Sequence, residues 1–305
     1  MSTISIIIIT YNRPEDALGL LQDIEKLNNK AGLLKEVILL NNASSKDYGK
    51  VRDFVKQHPD SWFRYIDATS NLGVSMGRNY AASLATGDIF VFLDDDVVIE
   101  NQDLLNAFAK AFSRNTGMDR RLGTISCKVR YYSNREVQVN AFPHKQYNAY
   151  KDLPWFLTGY YVGCAHAFLR ECWLAAGNYP DDFFYGMEEY DLSYRVLEAG
   201  YAIGYDASVE VFHKESPHGR TAKSEKLQMM WVNKSIVAWR YLPLLYFFTT
   251  TIAWSAFYLV KSRFALPGLF KGWIRVLGIP FQQARKQVQP GTRQYLRQVK
   301  ARLWF

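Results

Sequence analysis

Three consecutive carboxylates, Asp94, Asp95 and Asp96, follow directly on the apolar run 89–93. Side by side they repel one another unless a cation or hydrogen-bond donors stabilise them. Alternate residues of an extended segment point the same way, so Asp94 and Asp96 can grip one hard cation while Asp95 faces elsewhere. The plainer account is an acidic turn that caps the next helix. A second acidic group, Glu188-Glu189-Tyr190-Asp191, reads as the first turn of a helix, where the dipole favours carboxylates; Asp191 and Arg195 stand four apart, as a surface ion pair would. The apolar lead-in Phe183-Phe184-Tyr185-Gly186 points further, because apolar surroundings raise a carboxylate toward the range of a general base. His213 closes the short apolar run 209–212, and an imidazole beside two aspartates completes a ligand set that suits manganese.

These groups need a scaffold, and the first half of the chain describes one. Residues 4–10 form an unbroken β-branched run, the signature of a strand buried on both faces in a parallel sheet. Residues 15–27 carry Leu18, Leu21, Ile24 and Leu27 at helical spacing behind an acidic first turn. Strands are expected again at 36–40, 65–68 and 88–93, with a helix at 77–85. Strand, helix, strand makes a right-handed βαβ unit, and its repetition predicts an α/β fold: a doubly wound, mostly parallel sheet flanked by helices. Such a sheet binds its ligand beyond the carboxyl ends of the strands, so the loops 10–14, 41–47 and 94–96 should converge. Past residue 120 the pattern turns irregular and aromatic, Trp155 and Tyr160 among others; aromatic faces suit pyranose rings, and ordinary core is the simpler explanation.

Charge divides the chain. Of 37 Lys+Arg and 29 Asp+Glu, residues 214–305 hold 16 basic and 2 acidic groups, leaving 21 and 27 in residues 1–213. An acidic body with a basic tail argues for a tail that meets an anionic surface. The acidic body, together with a long apolar stretch in the tail, argues against a nucleic-acid partner. No Gly-x-Gly-x-x-Gly follows the first strand, which argues against a dinucleotide-dependent oxidoreductase. Three cysteines without close pairing indicate neither a disulfide framework nor a thiolate metal site, and the N-terminus lacks the basic and small-residue features of a signal peptide.

Taken in order, Thr10-Tyr11-Asn12-Arg13, Asn41-Asn42-Ala43-Ser44, Asn71-Leu72-Gly73 with Gly77-Arg78-Asn79, Phe92-Leu93-Asp94-Asp95-Asp96-Val97, the stretches 159–170 and 177–184, Glu188-Glu189-Tyr190-Asp191-Leu192 with Arg195, and His213 resemble the family 2 glycosyltransferases. These are inverting, nucleotide-sugar-dependent enzymes with the GT-A fold, and the resemblance spans residues 3–215. It implies that Asp94, Asp96 and His213 hold a divalent metal, Mn or Mg. Asp95 would lie near the donor ribose, Thr10 and Tyr11 would line the base pocket, Asn12 would help bind the nucleotide sugar, Asn41 and Asn42 would contact the pyrimidine, and Arg78 would reach base or phosphate. Glu189 takes the place of the catalytic base, with Asp191 as the other candidate; Trp155 and Glu188 are assigned to the acceptor. Two departures stand out: Glu189 is a Glu where Asp is common, and Asn41 replaces a more usual Asp.

The expected domains are a catalytic unit at 1–220, with a nucleotide-binding half (1–120) and an acceptor half (121–220), and a basic, apolar helical tail at 221–305. Within the tail, 241–260 carries no charge and is long enough to span a bilayer, yet Pro243, three threonines and Ser255 make it a poor span, and a crossing would carry the basic C-terminus outward. Residues 264–281 interleave Lys271 and Arg275 with large apolar groups, as interfacial helices do. A shallow or re-entrant membrane helix is therefore expected, with the protein peripheral or monotopic on anionic lipid at the cytoplasmic face of the membrane; a helical appendage packed on the body, or a dimer interface, is the alternative. The expected activity is metal-dependent transfer of a sugar from a nucleoside-diphosphate donor to a hydroxyl of a glycan or lipid-linked acceptor, with a homo-oligomer left open. The competing reading is a non-catalytic nucleotide-sugar-binding subunit or scaffold.

Overall fold

A computed structural model describes residues 2–58, 62–216 and 223–303. The chain begins with β1 (Ile4–Thr10), α1 (Pro14–Glu25), α2 (Lys30–Leu33), β2 (Leu34–Asn41), α3 (Gly49–Lys56), β3 (Phe63–Asp67), α4 (Gly73–Ser83) and β4 (Ile89–Asp94). Both faces of β1 are buried, which is why it carries consecutive isoleucines. α1 starts with Pro14 in its first turn beside Glu15 and Asp16, and buries Ala17, Leu20, Leu21 and Ile24, one stripe at helical spacing. The strands predicted in this half all form, each within a residue or two of its expected ends.

The second half adds β5 (Val97–Val98), α5 (Leu104–Ala111), β6 (Arg121–Tyr131), α6 (Tyr147–Tyr150), β7 (Trp155–Thr158), β8 (Ala165–Leu169), α7 (Arg170–Ala176), α8 (Glu188–Glu198) and β9 (Tyr201–His213). Among the described residues the strands join one nine-stranded sheet in the order β3-β2-β1-β4-β8-β6-β9-β5, with β7 pairing β9. The pairs among β3, β2, β1 and β4 are parallel. Beyond β4 the expected mostly parallel sheet becomes mixed: β8 runs antiparallel to both β4 and β6, β6 is parallel to β9, and β5 and β7 are antiparallel to β9. The reversal matters for function, because an antiparallel β8 begins where β4 ends and brings residues 163–164 beside Asp94, whose amide donates to the Cys164 carbonyl at 2.9 Å.

The tail forms α9 (Lys223–Tyr241), α10 (Leu244–Lys261), α11 (Leu266–Gln282) and α12 (Pro290–Gln298). It is not a separate body. Trp231, Tyr258 and Tyr295 belong to the same hydrophobic core as the sheet, and the Tyr295 hydroxyl meets the β7 and β9 backbones at the Thr158 and Ile203 carbonyls, 3.0 and 3.2 Å away. The division drawn at residue 220 therefore marks a change of composition rather than of core. The uncharged stretch starting at Tyr241 likewise splits: Tyr241 ends α9, a break follows at Pro243, and α10 carries the rest.

Candidate active site

Strand register brings the acidic triplet and the histidine together. Val97 of β5 pairs with His213 of β9, which sets the imidazole Nε2 3.1 Å from Asp96 Oδ1 across 117 residues of sequence. Asp94, Asp96 and His213 each offer a ligand atom within 4.8 Å of the others, a span that a divalent ion with metal–ligand distances of about 2.0–2.6 Å can bridge. Two carboxylate oxygens and one imidazole nitrogen are a donor set suited to Mn or Mg. The other imidazole nitrogen, Nδ1, is 3.0 Å from Gln138 Oε1, the outer contact that fixes a ligating ring. Burial opposes charge on His213, but the hydrogen bond to Asp96 and the proximity of Cys164 outweigh it and push its pKa up to about 11. Asp96 is buried too, yet His213 and Arg13 bring it down to about 2. A divalent ion held by Nε2 would take the place of the imidazole proton.

Asp95 does face away from the pair, as expected. Its carboxylate accepts from the Thr10 hydroxyl at 2.7 Å and from Arg13 Nη1 at 2.7 Å, while burial and its two neighbouring carboxylates push it up to about 7 despite those donors. Arg13 also reaches Asp96 at 3.1 Å and so ties the first loop to the third. It stands in the first of the motifs read from the sequence, but no role was expected of it; a cation next to a strand end that faces an acidic triplet was the available signal. The second loop joins through Asn12, whose side-chain oxygen accepts from the amides of Ser45 and Lys46 at 2.9 and 3.2 Å. The three loops converge.

Opposite the triplet lies α8. Its lead-in turns sharply, with Gly186 and Met187 both at positive φ, 80° and 70°, which aims Glu188 and Glu189 inward. Arg78 of α4 sits between the two acidic groups: its Nη2 is 2.8 Å from Asp94, and its Nη1 is 3.5 Å from Glu188 and 3.6 Å from Glu189. Burial raises both glutamates above the ordinary carboxylate range. For Glu188 the adjacent Glu189 charge raises it further; for Glu189, the Arg78 guanidinium pulls the other way. The two adjacent carboxyls titrate as one unit, with burial raising both. Space for Glu189 exists because residue 163 is glycine: a Cβ there would collide with Glu189 Oε1. That contact was missed from sequence, since 26 residues separate the two.

One cleft of about 530 Å³ takes in Thr10, Tyr11, Asn42, Arg78, all three aspartates, Glu188, Glu189 and His213. Other expected site residues lie outside its lining. Asn12 bridges loops. Asn41 donates to the Tyr65 hydroxyl and to Asp67 at 2.9 and 2.8 Å. Trp155, expected at the acceptor, is turned away: β7 lies antiparallel on β9, and the ring covers Gly204 with the Arg114 guanidinium 5.6 Å from its centroid. Aromatic walls come instead from Tyr160, Phe184, Tyr190 and Trp254. Asp191 points to α9, accepting from Arg195 Nε at 2.9 Å, Arg240 Nη1 at 2.8 Å and the Tyr241 hydroxyl at 3.1 Å. It is buried, joins the tail to the body and does not line the cleft.

A parallel nucleotide-type half closed by a mixed half, with carboxylates at the carboxyl end of its central strand, is the architecture of the GT-A glycosyltransferases. The sequence profile of glycosyl transferase family 2 matches residues 5–173, and the chain belongs to that family. The profile ends short of Glu188, Glu189 and His213, which only the tertiary structure joins to it. Mannosyltransferase PcManGT from Pyrobaculum calidifontis, solved in complex with GDP-Man and Mn2+, is similar in structure with a TM-score of 0.62 over 98% of this chain and 84% of that one, at 21% identity. An uncharacterized protein of Haemophilus influenzae is 29% identical over 180 residues, 58% of this chain and 92% of that protein. N-acetylgalactosaminyltransferase 6 of Drosophila melanogaster is 27% identical over 226 residues, 68% of this chain but only 33% of its own length, so the likeness covers a third of that enzyme.

Proposed function

We propose that this chain is an inverting, metal-dependent hexosyl- or deoxyhexosyltransferase that moves a sugar from a nucleoside-diphosphate donor to a hydroxyl of a lipid-linked glycan precursor, in bacterial surface polysaccharide synthesis. The observation that carries this reading is the meeting of two groups in one cleft: the Asp94, Asp96, His213 cluster on one side and the Glu189 carboxylate on the other, with Arg78 between them. A divalent ion on the cluster supplies positive charge against a leaving diphosphate. Glu189 accepts the proton of the attacking hydroxyl: burial lifts its proton affinity toward the range of a general base, while Arg78 beside it favours the anion. Thr10, Tyr11 and Asn42 border the donor end of the cleft. Asn42 is itself fixed, donating to the Gly73 carbonyl at 3.0 Å and accepting from the Leu72 amide at 2.9 Å. A single displacement with a base on the face opposite the diphosphate inverts the anomeric centre.

The PcManGT complex, with its nucleotide sugar and Mn2+, supports the donor class and the metal. A panel of nucleotide sugars, scored for metal-dependent stabilisation, hydrolysis and transfer to lipid-linked acceptors, tests the reading; the anomeric configuration of the product, read by NMR, tests inversion. A protein that binds nucleotide sugars but neither hydrolyses nor transfers them with Mn or Mg present would overturn it.

A further inference from the structure

α10 and α11 pack on the body along one side only. α10 buries Phe247, Thr250, Thr251, Ser255 and Tyr258 against α9, with the Trp231 indole donating to the Thr251 carbonyl at 3.1 Å. α11 buries only Gly272, Val276 and Ile279. The outward faces are apolar and open. On α10, Leu245, Phe248, Ile252 and Val260 are exposed; on α11, Leu266, Phe270, Ile274, Leu277 and Phe281 are exposed, Phe270 at 74% and Phe281 at 90%. Steps of three and four along α11 keep its five side chains in one stripe. Isolated exposed apolar residues are ordinary, but two adjacent stripes of them mark an interaction surface. Lys261, Arg263, Lys271 and Arg275 are exposed alongside, and residues 226–305 contain no Asp or Glu. The occupant must therefore be apolar within and anionic at its border.

We propose that the outer face of the α10–α11 hairpin is a membrane-docking surface that lies in the interfacial plane of an anionic bilayer. α10 is long and apolar enough to cross a membrane, with a mean hydropathy of 1.2. Crossing would strip it from α9, however, and α9 is anchored in the body: Asn233 donates to the Tyr185 and Gly186 carbonyls at 3.1 and 2.9 Å. Lying flat buries the stripes without breaking that packing, while the basic residues meet lipid phosphates. The inner side of α10 borders the cleft through Trp254, next to Lys226 and Met230 of α9. Docking thus holds the cleft near the headgroups, where an amphiphilic acceptor would arrive; this consequence rests on the transferase reading, whereas docking itself does not.

The test is flotation of the full-length protein with vesicles of phosphatidylcholine alone or mixed with phosphatidylglycerol, at low and high salt. The wild type is expected to float with the anionic vesicles, less with the neutral ones and less at high salt. Phe270→Ser with Phe281→Ser removes two exposed rings without touching the core, and each ring is worth roughly a tenfold loss in partitioning or more. Circular dichroism melting checks that the fold is kept. Failure of the wild type to float with anionic vesicles, or equal flotation of the double variant, overturns the proposal, as does light scattering that shows a dimer through this face with no vesicle binding. Since no sugar is transferred in the assay, its failure is distinct from failure of the enzymatic reading.

Discussion

Glu189→Gln separates a base from a structural acid. In the cleft the carboxylate stands against Gly163, 3.6 Å from Arg78 Nη1, and the substitution keeps its size while removing proton affinity. Loss of a positioned general base costs roughly 10²–10⁴-fold in rate, or about 3–5 kcal/mol of barrier. Stability should hold, because Arg78 keeps its 2.8 Å bond to Asp94 and its contact with Glu188. The pH profile adds a second readout. Burial raises Glu189, so wild-type kcat/KM should climb with pH through an apparent pKa above the ordinary carboxylate value, the titration belonging to the Glu188–Glu189 pair as a unit. Glu188→Ala leaves Glu189 to titrate without its acidic neighbour, and the acidic limb should simplify to a single ionisation. Glu188→Gln keeps the side chain's size and an oxygen for Arg78, and its kcat should stay near the wild type. Steady-state transfer with the preferred donor measures all three. A Glu189→Gln enzyme within threefold of wild-type kcat refutes the assignment, and if Glu188→Gln is the inactive one, the roles of the two glutamates are reversed.

Three other outcomes are expected. Manganese at a hundred times its Kd stabilises by about 2.7 kcal/mol, or roughly 5 °C in a melting scan; Asp96→Asn should abolish that shift, and a wild type with no shift in Mn or Mg argues against the site. Gly163→Ala places a methyl group on the end of a flexible side chain, so the fold adapts cheaply but the Glu189 carboxylate moves by about 1 Å; kcat should fall about a hundredfold with an unchanged melting temperature. Asp191→Ala leaves Arg195, Arg240 and Tyr241 without their shared acceptor and should cost about 3 kcal/mol in chemical denaturation, with kcat retained in the folded fraction. Loss of turnover in a stably folded Asp191→Ala protein would restore it as a base.

Residues 4–10 announce a buried strand and residues 14–25 the helix after it, because side-chain period along an isolated element needs no knowledge of the rest of the fold. The alternation that turns Asp95 from Asp94 and Asp96 is legible for the same reason. Trp155 was not, since an aromatic side chain carries no mark of which side of a sheet it takes; its antiparallel pairing with β9 decided that it covers Gly204. Asp191 and Glu189 look alike in sequence, and what distinguishes them is which side of α8 meets α9.

The amino-acid sequence by itself determined the elements and the chemical inventory: a strand ending in three carboxylates, an acidic helix start behind aromatic residues, a basic tail with apolar periodicity. Only the tertiary structure decided which of these meet. His213 reaches Asp96 because β5 pairs with β9 in one register, and Arg78 reaches Glu188 across 110 residues because α4 and α8 face the same cleft. Register and packing are set by the sum of many long-range contacts, and a one-residue slip in β9 would turn the imidazole to the other side of the sheet.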